Sequence, residues 1–174
     1  MGMDVYGLNP KRNTVKPDIL IEYMDDEGWT DWDKLGKNNT KDEDGNTVYS
    51  KEWDEYIAAK EAWDEDNPGS YFRNNVWWWR PLWNYVCTIC DDILDEEDHD
   101  NGHSNSGHQI NEKKAIAIAE RINLFIENGD AEDYAKERQI ALSAEGINAS
   151  YGFDVDNLKE FGKFCEQSGG FEIC

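Results

Sequence analysis

The stretch YFRNNVWWWRPLW at residues 71–83 decides the architecture more than any other part of this chain. Six of its 13 side chains are aromatic, and residues 77–79 are three consecutive tryptophans. Three neighbouring side chains cannot all point the same way, so at least two of these indoles are expected to enter a hydrophobic interior. The stretch therefore predicts a core built on tryptophan.

The same stretch contains the candidate ligand-binding residues. Arg73 and Arg80 are the only Lys or Arg residues between Lys60 and Lys113. In a chain this acidic they are expected to pair with carboxylates or to serve an anionic ligand. A pocket with aromatic walls and polar donors would suit a planar ring or a nucleotide. We prefer the core interpretation and keep the pocket as an alternative, with Arg73, Asn74, Asn75, Trp78 and Arg80 as its residues.

Apolar spacing outward from this stretch predicts five helices. Pro81 fits a first helical turn, where its missing N–H is not needed, so the central helix is expected to begin near residues 78–80 and to run to Ile93. Side chains that can cap a helix stand at the start of the other four segments, at Ser50, Asn111, Asp130 and Asp154. The predicted helices cover about 50–64, 78–93, 111–129, 130–142 and 153–169.

Short alternating or β-branched runs predict strands at residues 3–7, 19–24 and 171–174. The two runs near the chain ends are each too short to be stable alone, so they are expected to pair. Residues 91–108 read as a long polar loop, and residues 146–152 as a break between helices. The predicted fold class is α+β and mostly helical, with about five helices packed round a Trp-rich core and a small sheet formed by the N- and C-terminal segments.

The composition is that of one folded domain. The chain has 174 residues, 39% of them hydrophobic and 13% aromatic, despite a mean hydropathy of −0.87. That apolar content argues against disorder. No run of 18 apolar residues and no signal-peptide pattern occurs, so no membrane partner and a cytoplasmic location are expected.

The formal net charge of −21, from 38 acidic and 17 basic residues, limits the possible partners. Because no basic stripe occurs, direct binding to a nucleic-acid backbone is not expected. A negative surface favours association with basic surfaces instead. The leading hypothesis is a non-catalytic acidic binding protein that engages and inhibits a basic host protein, such as one that binds nucleic acids. A small anionic ligand at the 71–83 stretch is the alternative.

Histidines and cysteines suggest two weaker alternatives. His99, His103 and His108 lie among carboxylates, as in a metal-dependent hydrolase, although their spacing matches no known motif. Cys87 and Cys90 have the spacing of half a zinc site, but they fall within a predicted apolar helix. We expect no cofactor, and a bound zinc ion is the alternative. No nucleophile motif or phosphate-binding loop is present, so a non-catalytic protein is preferred.

Three blocks of sequence, MGMDVYGLNP at 1–10, the stretch 71–83 and SGGFEIC at 168–174, resemble an uncharacterised family of small phage and bacterial proteins. The resemblance covers about thirty residues of the chain. It implies that the chain ends and the tryptophan stretch form one unit, and that residues 11–70 are an insertion in a single domain, 1–174. It also implies a phage-encoded protein that acts in the host cytoplasm, and it brings no activity with it.

Overall fold

The computed structural model of the chain describes residues 2–144 and 153–174. The break predicted at 146–152 therefore lies outside the described residues. The chain divides into two compact units, unit 1 formed by Met1–Arg12 and Pro68–Cys174, and unit 2 formed by Asn13–Asn67. The strands are β1 (Gly2–Gly7), β2 (Thr40–Lys41), β3 (Thr47–Val48), β4 (Tyr71–Asn75), β5 (His108–Asn111) and β6 (Gly170–Ile173). The helices are α1 (Asp18–Glu22), α2 (Trp32–Leu35), α3 (Lys51–Asp66), α4 (Val76–Ile89), α5 (Glu96–Asn101), α6 (Glu112–Glu127), α7 (Asp130–Ala144) and α8 (Val155–Gln167).

The predicted fold class is confirmed. The described residues are mostly helical, and an antiparallel sheet contains both terminal strands, β1 and β6. The five predicted helices correspond to α3, α4, α6, α7 and α8. The three further helices, α1, α2 and α5, have only four to six residues each, too few for a clear apolar period.

The sheet of unit 1 has the strand order β4-β1-β6-β5, and every neighbouring pair is antiparallel. In this register Val5 lies opposite both Phe72 and Ile173, and all three side chains are buried. One face of the sheet therefore belongs to the core. Strands β4 and β5 were not predicted, because each has a single buried apolar side chain, Phe72 or Ile110.

The prediction of an uninterrupted loop at 91–108 is wrong. Within it lies α5, which begins with a capping box in which the side chains of Asp95 and Asp98 each accept a hydrogen bond from the other's backbone N–H. The segment ends at His108, the first residue of β5. Two features give this polar segment its regular structure. The carboxylates cap α5, and β5 pairs with β6.

Helix α4 forms the centre of unit 1. The indoles of Trp79 and Trp83, one turn apart, are fully buried and stack with centroids 5.5 Å apart and 9° between their planes. Phe161 of α8 meets the Trp79 ring edge-on at 5.6 Å. The tryptophan core predicted from residues 71–83 is thus formed by Trp79 and Trp83. The prediction that at least two of the indoles at 77–79 enter the interior is wrong, because only Trp79 of these three is buried.

The predicted start of this helix is wrong. Helix α4 begins at Val76, because the side chain of Asn75 accepts hydrogen bonds from the N–H groups of Trp77 and Trp78 and so caps it. Pro81 lies inside the helix rather than in its first turn. It cannot donate to the carbonyl of Trp77, and its side chain is buried. The helix also ends at Ile89, before Ile93.

Three of the four predicted N-caps are confirmed, whereas Asp130 is the first residue of α7 rather than its cap. The side chain of Ser50 accepts from the N–H of Trp53 at the start of α3, and that of Asn111 accepts from Lys114 at the start of α6. Asp154 caps α8 in the same way. These short polar side chains satisfy N–H groups that the first helical turn leaves without partners.

Unit 2 contains α1, α2, α3 and the hairpin of β2 and β3. Its core consists of Leu20, Leu35, Tyr56 and Trp63. The strand predicted at 19–24 is wrong, because residues 18–22 form α1. Pro17 precedes this helix with φ of −58°, and its carbonyl accepts the first hydrogen bonds, from Leu20 and Ile21. Local geometry at Pro17 thus overrides the β-branched composition.

The helices in the described part of the chain all lack the length and apolar content needed to cross a membrane.

Candidate functional site

The four indoles of the 71–83 stretch have different environments. Trp79 and Trp83 are buried, Trp78 is half-buried and Trp77 is exposed. The Nε1 of Trp79 donates to the carbonyl of Gly102 at 2.8 Å. The buried rings are therefore held by stacking and by a hydrogen bond inside the core, and they do not line an open cavity.

Three of the predicted ligand residues meet in one place. Arg73, Asn74 and Asn75 line an open depression of about 460 Å³ together with Gly2, which pairs with Asn75 across β1 and β4. Trp78 and Arg80 are not among its lining residues. The depression offers one guanidinium and two carboxamides to a small polar ligand.

Some of the polar groups that line this depression already have partners within the protein. The Nε of Arg73 lies 3.5 Å from a carboxylate oxygen of Asp4, and Asn74 donates to Asn157 at 3.1 Å. Tyr71 also donates a hydrogen bond to Asp4. Burial and this carboxylate raise the pKa of Tyr71 well above its ordinary value. The negative charge of Asp4 therefore offsets much of the attraction that Arg73 would exert on an anion.

Arg80 lies apart from that depression and is exposed on α4. Among the residues that the structure describes, no carboxylate forms a salt bridge with it. Burial lowers the pKa of His103, and the positive charge of Arg80 lowers it further. His103 is consequently neutral at physiological pH.

His108 belongs to a polar network centred on Asp98. Its Nε2 lies 2.9 Å from a carboxylate oxygen of Asp98, which is almost completely buried. Lys114 contacts the other oxygen of Asp98 and donates to Asp95 at 2.6 Å. The hydrogen bond from Lys114 lowers the pKa of Asp95. This network joins α5 to β5 and α6, so His108 has a structural role.

The predicted metal residues are not assembled into a metal site. His99 lies 3.9 Å from Asp91, whereas His108 faces Asp98. Over residues 2–144 and 153–174, no group of three or more His, Cys, Asp or Glu side chains is arranged to hold a metal ion. The hydrolase hypothesis therefore stays a sequence prediction without geometric support.

The cysteines at the predicted half zinc site are buried in the core. Cys87 and Cys90 are free thiols at the end of α4, and burial raises their pKa values to about 11 and about 12. Thiols with such values stay protonated at neutral pH, whereas metal binding and redox exchange require the thiolate. These side chains therefore act as small apolar groups.

Carboxylates dominate the surface at α5. Asp95, Glu96, Glu97 and Asp100 line an open depression of about 500 Å³ together with Asn101. Lys114 neutralises part of the charge through Asp95. No cation in the described residues forms a salt bridge with Glu96, Glu97 or Asp100. This depression is a concentrated part of the negative surface.

A row of three aromatic rings in unit 2, of which Trp32 and Tyr49 are exposed and Trp53 is half-buried, was not predicted as a site. Trp32, Tyr49 and Trp53, here called the aromatic surface, form a continuous row. Tyr49 stacks on Trp53 with centroids 4.8 Å apart and 23° between planes, and Trp32 lies 5.6 Å from Trp53. Sequence pattern assigns tryptophan to the interior by default, so no signal in the sequence distinguishes these exposed rings from the buried ones.

Comparisons with protein-family models, with curated proteins and with solved structures found no match to this chain.

Proposed function

We propose that this chain is a non-catalytic binding protein whose acidic surface engages a basic protein. The observation that carries the proposal is the charge balance of 38 acidic against 17 basic residues. Even if every Lys and Arg formed an ion pair, 21 carboxylates would lack a compensating charge. Such an excess destabilises a compact chain through self-repulsion, and a cationic partner relieves that repulsion.

The distribution of ion pairs supports this proposal. Lys114 and Arg121 are occupied by Asp95, Asp98 and Asp92 within unit 1. In unit 2, Lys51 pairs with Glu55. Basic residues that already have carboxylate partners do little to screen the remaining acids from an incoming cationic surface.

The proposed partner is a protein whose basic surface normally binds nucleic acid. Such surfaces carry clustered Lys and Arg side chains that match an excess of carboxylates. Occupation of that surface by this chain would exclude the nucleic acid, which is inhibition by competition. If the chain is phage-encoded, as the resemblance of its three sequence blocks implies, the partner is a host protein in the cytoplasm.

Affinity capture followed by quantitative binding tests this proposal. The full chain is immobilised and exposed to a cell lysate at about 50 mM and about 500 mM salt, beside an unrelated acidic protein of similar size and charge. We expect a basic protein to be retained by this chain alone at low salt and released at high salt, because salt screens attraction between exposed charges.

The purified partner is then titrated with the chain and with nucleic acid. We expect saturable binding at a fixed stoichiometry, and loss of nucleic-acid binding as the chain is added. Retention of the same proteins by the unrelated acidic protein would reduce the interaction to general polyanion binding. A partner that binds both components at once would contradict inhibition by competition.

The depression at Arg73 supports a second candidate function, which is binding of a small anionic ligand. The supporting observation is that Arg73, Asn74 and Asn75 line one open depression. Trp77 and Trp78 follow directly in the chain, and their backbone N–H groups donate to the side chain of Asn75. We therefore expect the fluorescence of their indoles to change when a ligand occupies the depression. We expect quenching by at least one member of a nucleotide panel, and its loss in Arg73→Ala. An unchanged signal across the panel would contradict this candidate.

A further inference from the structure

We infer that the aromatic surface of unit 2, formed by Trp32, Tyr49 and Trp53, binds arginine side chains of the basic partner. The inference rests on the proposed function and adds a location and a chemistry to it. Charge attracts the partner at long range, and the exposed rings select among cations at contact.

Two of the three rings are presented by helices, and Tyr49 lies between β3 and α3. Trp32 is the first residue of α2, whose N-cap Asp31 accepts from the N–H of Lys34 at 2.9 Å. Trp53 lies in the first turn of α3, and its N–H bonds to the cap Ser50. Tyr56, buried one turn further on, supports Trp32 from below in an edge-on contact at 6.2 Å. The backbone positions of Trp32 and Trp53 are thus set by capped helices before any partner arrives, which reduces the entropy lost on binding.

The outer rings of this row are half exposed. Trp32 is 50% exposed and Tyr49 is 52% exposed. Unit 2 has 55 of the 174 residues, but it has six of the 11 large apolar side chains that are exposed in the described residues. Trp32 and Tyr49 are two of these six, and neighbouring exposed rings of this kind are a feature of binding surfaces.

Carboxylates flank these rings in the sequence. Asp31 and Asp33 flank Trp32, and Glu52 and Asp54 flank Trp53. Unit 2 as a whole has 17 acidic residues against six lysines. Two of those lysines already have partners close to the rings, since Lys51 pairs with Glu55 and Lys34 donates to the carbonyl of Glu22. An aromatic surface in such a field is suited to a cationic occupant.

The protein itself binds cations on aromatic faces in this unit. The ammonium of Lys16 lies 5.1 Å from the centroid of Trp63, and that of Lys34 lies 5.5 Å from the centroid of Tyr23. Within unit 2, no lysine occupies the face of Trp32 or Tyr49 in this way. The exposed parts of these two rings are available to an external cation.

Arginine matches this surface better than the other occupants considered. Its planar guanidinium stacks on an indole or a phenol while its edge donates to carboxylates, which a compact ammonium cannot do together. A second copy of this chain would bring two surfaces of the same negative charge together. An uncharged apolar segment would leave the surrounding carboxylates without a cation.

Fluorescence anisotropy on the full chain tests the inference with labelled peptides of equal length that contain six arginines, six lysines or six uncharged citrullines. We expect the arginine peptide to bind several times more tightly than the lysine peptide, and the citrulline peptide to bind weakly. Trp32→Leu and Tyr49→Ala should each reduce affinity for the arginine peptide by about fivefold, because each removes one exposed cation–π contact. Both variants keep the net charge.

Trp77→Ala is the matched control, since Trp77 is 58% exposed but belongs to unit 1. We expect it to bind as the unchanged chain does. If both unit 2 variants, folded by circular dichroism, keep full affinity while salt still weakens binding, the inference fails and the proposed function stands. If the chain binds neither cationic peptide at 50 mM salt, the proposed function itself fails. A dimer by light scattering that Trp32→Leu converts to a monomer would assign the surface to self-association instead.

Discussion

The backbone N–H of Asn13 donates to the side-chain oxygen of Asn67 at 2.8 Å, which joins the first and last residues of unit 2. The Nδ2 of Asn67 donates to Thr14 and to the carbonyl of Trp63, both at 2.7 Å. Asn67 is almost completely buried. A compact unit whose two ends meet in one hydrogen-bonded contact has the geometry of a segment that can be inserted into, or removed from, another chain.

We expect unit 1 to fold after residues 13–67 have been removed. With a linker of about six Gly and Ser residues between Arg12 and Pro68, unit 1 should still unfold cooperatively in urea. The two ends to be joined lie close together, so the entropy cost of closing a short loop is small. Near-ultraviolet circular dichroism should keep the signal of the buried Trp79 and Trp83 pair. A non-cooperative transition would show that unit 1 depends on unit 2, and the predicted insertion would be abandoned.

Gly102→Ala should destabilise unit 1 by about 3 kcal/mol. A Cβ atom at Gly102 would overlap the indole of Trp83, which is fully buried and stacked on Trp79, so neither ring can move aside. The carbonyl of Gly102 also accepts from Trp79. Urea unfolding measures the change. Gly36→Ala is the control, since its Cβ would have ordinary contacts at 3.5 Å or more, and equal stability of the two variants would contradict the packing described for α4.

Removal of the hydroxyl group should have opposite effects on protein stability at two tyrosines. The Oη of Tyr85 is buried without a hydrogen-bond partner in the described residues, and burial raises its pKa to about 12. Tyr85→Phe should therefore leave stability unchanged or raise it by about 1 kcal/mol. Tyr56 shares a hydrogen bond of 2.6 Å with Thr30, so Tyr56→Phe should cost about 1 kcal/mol. Thermal unfolding measures both, and a clear loss of stability in Tyr85→Phe would mean that its hydroxyl has a partner.

Loss of the Lys114 ammonium should lower the free energy of unfolding more at neutral than at acidic pH. Lys114→Met removes the partner of buried Asp98 and of Asp95, and should cost about 3 kcal/mol at pH 6. The pKa of Asp95 is lowered below its ordinary value of 3.8 mainly by the hydrogen bond from Lys114. A carboxyl whose pKa is lowered on folding contributes stability above its unfolded pKa and loses it as the pH falls through the folded pKa.

The stability difference between Lys114→Met and the unchanged chain should therefore shrink as the pH falls below about 4. Urea unfolding at pH 6, 4 and 3 measures it. Lys113→Met removes the same charge from the neighbouring exposed position and should have little effect at any of these pH values. A cost for Lys114→Met that is the same at pH 6 and pH 3 would contradict the ionic network.

The sequence predicted those elements whose stability depends on local chemistry. Apolar spacing and capping side chains such as Ser50 and Asn111 identified the five long helices, because these signals act within a few residues. The pairing of β1 with β6 followed from two short strands at the chain ends. In contrast, β4 and β5 depend on partners distant in the sequence, and α1 depends on the geometry at Pro17.

The candidate surfaces were less predictable. Arg73, Asn74 and Asn75 are consecutive, so their meeting in one depression follows from their order in the chain. The aromatic surface depends on how Trp32, Tyr49 and Trp53 are brought together by α2, the hairpin and α3, which no local pattern specifies. Likewise, the role of His108 depends on its contact with Asp98 across two elements.

In the proposed function, negative charge at the surface recruits a basic protein. The most direct measurement is the dissociation constant of the complex with the captured and purified partner, determined by titration calorimetry at about 50, 150 and 500 mM salt. Because screening shortens the range of charge attraction from more than 10 Å to less than 5 Å over this interval, we expect the affinity to fall at least tenfold. An affinity that stays constant across the three salt concentrations would contradict the account.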